Sequence, residues 1–109
     1  MSNYTAQTLL SGVGANTTGQ ELALDGALGG AVCVHVTQID SGRIRFEGTL
    51  NGRNWALVQA QNLSTGASVT STTVSGVFRI EATGLAGVRS PYEGWTTGIA
   101  KSYASPQIG

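Results

Sequence analysis

The sequence predicts an all-β protein: an antiparallel β-sandwich, jelly-roll-like, with about eight strands. Three observations carry this. First, an alternating run from Arg43 to Leu50 enters Asn51-Gly52, and a second strand opens at Trp55; Asn-Gly between apolar alternations is a strong hairpin signal. Second, further short alternating runs follow at regular spacing, each set off by glycine. Third, only 11% of residues are charged while 16 are glycine, which suits tight turns and starves helix surfaces of the Glu and Lys they normally carry. No stretch of ten residues holds a helical period.

The elements follow in order along the chain. Thr5 to Leu10 reads as a short first strand, and Gly12 to Gly19 as a polar loop. Glu21 to Leu24 is a brief second strand closed by Asp25-Gly26. After Gly29-Gly30, Ala31 to Ile39 is a strong strand, with Val32, Val34 and Val36 on one face and Cys33, His35 and Thr37 on the other. Asp40-Ser41-Gly42 turns the chain into Arg43 to Leu50. There Ile44, Phe46 and Leu50 point one way, and Arg43, Arg45, Glu47 and Thr49 point the other. Trp55 to Gln59 is the hairpin partner. Asn62 to Ser68 is loop, and Val69 to Val74 is a Thr/Ser-rich strand. Val77 to Thr83 follows, with Phe78 and Ile80 inward and Arg79 and Glu81 outward. Leu85 to Arg89 is short, Pro91 to Gly94 is a turn, and Thr96 to Ala104 is the last strand. Pro106 is expected to block further ladder pairing. Phe46, Phe78, Ile80, Val34 and Trp55 are the expected core.

A chain of 109 residues suits one domain over 1–109. At this size roughly 65% of the unfolded surface is buried, so a core without staples is feasible. Six basic and six acidic residues cancel. Without a basic stripe the chain is not expected to bind nucleic acid, because phosphate contact supplies most of that affinity. Low charge favours association. Cys33 is the only cysteine, so no intramolecular disulfide forms. The N-terminus lacks a basic start followed by a long apolar stretch, so neither a signal peptide nor a membrane span is expected.

No catalytic constellation is visible. One histidine and one cysteine cannot close a zinc site, and Asp25 and Asp40 read as turn-capping carboxylates, not as a calcium cage. No metal or cofactor is expected. Glu47 and Glu81 are the only carboxylates worth weighing as a hydrolytic pair, and cross-strand pairing with Arg45 or Arg79 is the simpler account. Cys33 with His35 two residues on lacks an orienting acid. The candidate binding residues are Tyr92 and Trp95, in Ser90-Pro91-Tyr92-Glu93-Gly94-Trp95-Thr96-Thr97-Gly98. Two rings in one loop fit a sugar platform or a protein interface, and equally a lid on the sandwich end.

The run Phe46-Glu47-Gly48-Thr49-Leu50-Asn51-Gly52-Arg53-Asn54-Trp55 is similar to an FEGS-DG-NW element of β-sandwich modules, including galactose-binding-like and discoidin-like domains and small virion proteins of tailed phages. The second half resembles the phage proteins more. Ser71-Thr72-Thr73, Gly76-Val77-Phe78-Arg79-Ile80, Gly84-Leu85-Ala86-Gly87-Val88-Arg89 and Thr96-Thr97-Gly98-Ile99-Ala100 match their Ser/Thr segment, GxFR strand, GL turn and TSG-type strand. The Trp95 loop departs from that pattern, which carries a shorter, less aromatic turn. The resemblance covers about residues 43–104. It implies a non-enzymatic virion component, foremost a head decoration (cement) protein. Such a protein binds the major capsid protein or another virion protein and associates with itself, a trimer being favoured. It would be made in the host cytoplasm and end up in the virion. A glycan-binding tail or fibre module, with Tyr92 and Trp95 as stacking groups, is the alternative. For residues 1–20, nearly free of charge and weakly apolar, the expectation is an N-terminal arm that orders on a neighbouring subunit or on the capsid, the alternative being an ordinary edge strand of its own domain.

Overall fold

The computed structural model describes residues 7–24, 30–82 and 84–108, with no helix among them. The expectations for Thr5, the Asp25-Gly26 turn and Thr83 lie outside these residues. In chain order the strands are β1 (Gln7–Val13), β2 (Glu21–Ala23), β3 (Gly30–Ile39), β4 (Arg43–Arg45), β5 (Glu47–Thr49), β6 (Trp55–Leu57) and β7 (Ala60–Asn62). They continue as β8 (Ser68–Val69), β9 (Ser71–Thr72), β10 (Gly76–Glu81), β11 (Gly87–Arg89), β12 (Tyr92–Glu93) and β13 (Ala100–Ile108).

Two layers result. One is a six-stranded sheet in the order β1-β13-β3-β10-β7-β8. The other is built from broken strands: β2-β11-β5-β6 continues into β12-β4-β9, because β4 and β5 are separated only by Phe46 and β11 and β12 only by Ser90-Pro91. All pairs are antiparallel. Rows β3-β10-β7-β8 and β2-(β11/β12)-(β5/β4)-β9 are the two Greek-key sheets of a jelly roll, with β13 and β1 added beside β3. The β-sandwich expected from the sequence is the fold.

The core lies between the layers. Val32, Val34, Val36, Phe78 and Ile80 from the six-stranded sheet meet Leu22, Ile44, Phe46, Val88 and Tyr92 from the other. Phe46 and Phe78 touch with ring centroids 5.0 Å apart and planes tilted by 41°, an arrangement the ring quadrupoles favour. Each such fully buried side chain contributes about 1.5–3 kcal/mol. Ser90 and Ser102, both buried, satisfy each other at 3.1 Å.

Several expectations are corrected. Residues 7–13 are not an arm: β1 pairs with β13 of its own chain, and Leu9 and Leu10 are core residues. These neighbours both point inward because the register to β13 shifts between Thr8 and Leu10, a bulge that breaks the two-residue period. Trp55 is only partly buried, on the outer face of its sheet, with the Arg89 guanidinium 4.3 Å from its ring centroid. The strand expected over Trp55 to Gln59 ends at Leu57, and the chain crosses to the other sheet as β7. Asn62 to Ser68 is likewise not all loop, since Asn62 ends β7 and Ser68 opens β8. The expected strand Val69 to Val74 is two short pieces in different sheets. Pro91 to Gly94 is not a free turn, because Tyr92 pairs with Ile44 on one side and Thr17 on the other. Pro106 does not end the ladder, which runs on to Ile108 opposite Gly30. Among the described residues Pro106 pairs with β3, opposite Val32.

The Asn51-Gly52 hairpin forms, though not as the two-residue turn with both residues at positive φ. Only Gly52 has positive φ, +78°. The loop is instead tied by side chains: Thr49 Oγ1 accepts from the amides of Asn51 and Gly52, and Asn51 Oδ1 accepts from those of Arg53 and Asn54. Leu50 keeps the core-facing parity of Ile44 and Phe46 but overhangs at this hairpin and is 76% exposed.

Candidate functional site

One end of the sandwich is formed by residues 14–18, the Asp40-Ser41-Gly42 turn and residues 94–98. The short turn reflects its sequence. Gly42 takes φ +70°, where any β-carbon would collide with the Glu93 carbonyl oxygen, while the Asp40 and Ser41 side chains reach across to the 96–99 segment. Ser41 Oγ accepts from the amides of Thr96 and Thr97, each at 3.1 Å, and donates to the Thr97 carbonyl at 2.6 Å. Asp40 Oδ2 accepts from the Ile99 amide at 2.9 Å and from Gln38 Nε2 at 3.1 Å. Asn16 Oδ1 accepts from the Trp95 amide at 2.9 Å. The Trp95 indole N–H donates to the Gly98 carbonyl at 2.9 Å. The backbone of 95–99 is thus held by two separate segments, and Trp95 is presented 39% exposed with its own donor already satisfied. What it offers a partner is an apolar ring on a fixed support.

The two candidate binding residues part here. Tyr92 does not join Trp95 at the surface: its ring is 1% exposed, inside the core cluster, and its hydroxyl donates to the Ser41 carbonyl at 2.6 Å. Pairing to Ile44 and Thr17 fixes its inward direction. A buried ring cannot stack on a sugar, so the two-ring platform is replaced by one exposed ring, with the Tyr92 hydroxyl linked to its loop through Ser41. Asn16 and Ser41 are the supports that sequence reasoning missed. The Asp-Ser-Gly turn was visible, but nothing in sequence spacing joins residue 41 to residue 97.

The outer face of the broken sheet carries a chain of charge. Arg43 Nε is 3.3 Å and Arg45 Nη1 3.4 Å from opposite oxygens of Glu93. Arg45 Nη2 lies 3.7 Å from Glu47, and Arg89 Nε donates to Glu47 Oε1 at 2.7 Å. Cross-strand register places these side chains together, since Arg89 stands opposite Glu47 and Glu93 opposite Arg43. Glu47, 8% exposed, is therefore a structural ion-pair partner. Glu81 stands on the outward face of β10 in the other sheet, so the structure does not bring the two carboxylates together. Cys33 lies opposite Arg79 and Ser105 on the outer face of the six-stranded sheet, with His35 two residues along. Among the described residues no three His, Cys, Asp or Glu side chains gather as metal ligands. Asp25 lies outside them.

A second surface feature is apolar. Leu50, Ala56, Val58 and Leu85, with Gly48 at the floor and Asn51 and Asn54 at the rim, line an open groove of about 410 Å³ beside the β5–β6 hairpin. No charged residue lines it. Leu50, a large apolar residue directly before an Asn-Gly turn, was the signal in the sequence.

No known family's sequence profile matches this chain, and no curated protein matches it in sequence. Its fold does match solved structures. The SPBc2 prophage-derived protein YomS superposes with a TM-score of 0.82 at 14% identity, over 96% of this chain and 94% of that one. The PBSX exported protein XepA superposes with a TM-score of 0.79 at 13% identity, over 97% of this chain. The chain spans only 39% of XepA. At such identity the shared property is the fold, one found in phage-derived proteins.

Proposed function

We propose that this chain is a non-enzymatic structural protein of a tailed-phage particle, acting as a decoration protein that binds the assembled head. The observation that carries the reading is the Trp95 loop. A partly exposed indole donates to the Gly98 carbonyl within a loop whose backbone amides donate to Asn16, Ser41 and Asp40, so docking it costs little conformational entropy. Tryptophan in that setting is the residue most enriched among interface hot spots. The phage-derived fold neighbours and the resemblance of residues 43–104 to small virion proteins support the same reading. Many copies that bind only the assembled form stabilise a shell by linkage, even when each binds weakly.

The test uses particles of the phage or prophage whose genome carries this gene. Mass spectrometry of purified virions should find the chain in many copies. Particles lacking it should rebind purified wild-type protein and regain heat resistance, and Trp95→Ala should lose that binding while its melting temperature stays near wild type. Absence from purified virions would overturn the reading. Binding of Trp95-intact protein to host surface glycan instead of to particles would replace it with the tail or fibre alternative.

A further inference from the structure

The edge at β6 differs from the other described edges. In the β5–β6 ladder Gly48 faces Ala56, flanked by Glu47 with Leu57 and Thr49 with Trp55. The next residue on, Val58, donates its amide to the Phe46 carbonyl at 2.9 Å. Antiparallel pairs alternate between hydrogen-bonded and non-bonded, so Ala56 spends its N–H and C=O on Gly48. The N–H and C=O of Trp55 and of Leu57 therefore point away from the sheet, and among the described residues no strand pairs with β6 on that side.

Natural edges are guarded by charge, proline, bulges or a covering segment. The strip Asn54-Trp55-Ala56-Leu57-Val58 contains none of the first two, and its ladder to β5 has no register shift. Leu57 is 47% exposed on one face, and the uncharged groove around Leu50 and Val58 opens on the other. The other edges are weaker candidates. The outer side of β1 is partly occupied, since the Gln20 amide donates to the Leu9 carbonyl and Gln7 Nε2 to the Glu21 carbonyl. β8 and β9 are two residues each and rich in Ser and Thr.

We infer that β6 pairs with β6 of a second copy, antiparallel, about a two-fold axis through Ala56. The strip is self-complementary in this register. Trp55 then stands opposite Leu57 of the other copy, and their outward N–H and C=O groups bond reciprocally on both sides of the axis. Ala56 meets its own mate in a non-bonded pair, where backbones approach to about 4.5 Å and a small side chain is needed. The exposed Leu57 is covered by the mate's Trp55, and the two apolar grooves become continuous across the axis. No charged residue of the strip faces another across the axis. This surface is distinct from the Trp95 loop and does not depend on the phage reading. A two-fold contact also differs from the trimer that the resemblance implies.

Sedimentation velocity over a dilution series should show a monomer–dimer equilibrium, and Leu57→Lys should weaken it by about ten-fold or more, as a charge on an unguarded edge does. Register is read by crosslinking. In a Cys33→Ser background, Ala56→Cys should form an intermolecular disulfide on mild oxidation. Asn54→Cys, which would stand opposite residue 58 of the mate, should not. Thermal melts of each variant confirm that it is folded; Asn54, Ala56 and Leu57 are all exposed, so melting close to that of the matching parent chain is expected. A monomer at all concentrations, a trimer insensitive to Leu57→Lys, or equal crosslinking at 54 and 56 would each overturn the inference.

Discussion

Replacing Tyr92 with phenylalanine removes a single oxygen, and the structure says where its loss is felt. The hydroxyl donates to the Ser41 carbonyl at 2.6 Å and lies 3.3 Å from Ser41 Oγ. The ring itself is buried, so its packing survives the change. An average neutral hydrogen bond contributes about 0.5–1.5 kcal/mol, and an acceptor left unsatisfied in a buried place costs about 1–3 kcal/mol. Ser41 is partly buried, which lets some water reach it, so a loss of about 1–2 kcal/mol is expected. For a domain of this size that lowers the melting temperature by roughly 4–12 °C. Urea unfolding should report a lower midpoint with an unchanged slope. A second readout follows from geometry: Ser41 Oγ holds the amides of Thr96 and Thr97, so their hydrogen exchange should accelerate in Tyr92→Phe. Tyr103→Phe, on the outer sheet face, serves as control and should stay within about 0.5 kcal/mol. If Tyr92→Phe were equally silent in both readouts, the assignment of Tyr92 as the brace of the Trp95 loop would be wrong.

Other expectations are checked in the same assays. Phe78→Ala should cost about 3–5 kcal/mol, since the ring is buried against Phe46; a loss below about 1 kcal/mol would contradict its core position. Deleting residues 1–12 removes most of β1 with Leu9 and Leu10, a loss of about 3–6 kcal/mol in burial alone. The truncated chain should melt far below wild type, and wild-type melting would restore the arm reading. Arg89→Ala takes away both the 2.7 Å bond to Glu47 and the cover over Trp55, and should destabilise by about 1–3 kcal/mol. An unchanged urea midpoint would show the ion-pair chain to be ornamental to stability.

Much of this protein is written locally. The inward triplet Val32, Val34 and Val36 and the pair Phe78 and Ile80 follow from a two-residue period in unbroken strands, and their burial matches it. The hairpin at Asn51-Gly52 follows from residues whose own side chains bend the chain, and the turn at residues 40–42 from the missing β-carbon of Gly42. The sandwich class follows from these together. What depended on distant partners was not legible. Leu9 and Leu10 are both buried only because β13 imposes a bulge on β1. Leu50 is exposed because the hairpin overhangs, although its parity is that of Phe46. Tyr92 and Trp95 lie three residues apart in one glycine-flanked loop, and composition treats them alike. Pairing to Ile44 and Thr17 turns one ring into the core, while Asn16, Asp40 and Ser41 hold the other at the surface. Period and turn chemistry act over two to four residues, so the sequence alone determined strands, turns and fold class. Register, and the contacts between segments far apart in the chain, decided which side chains this protein shows to a partner.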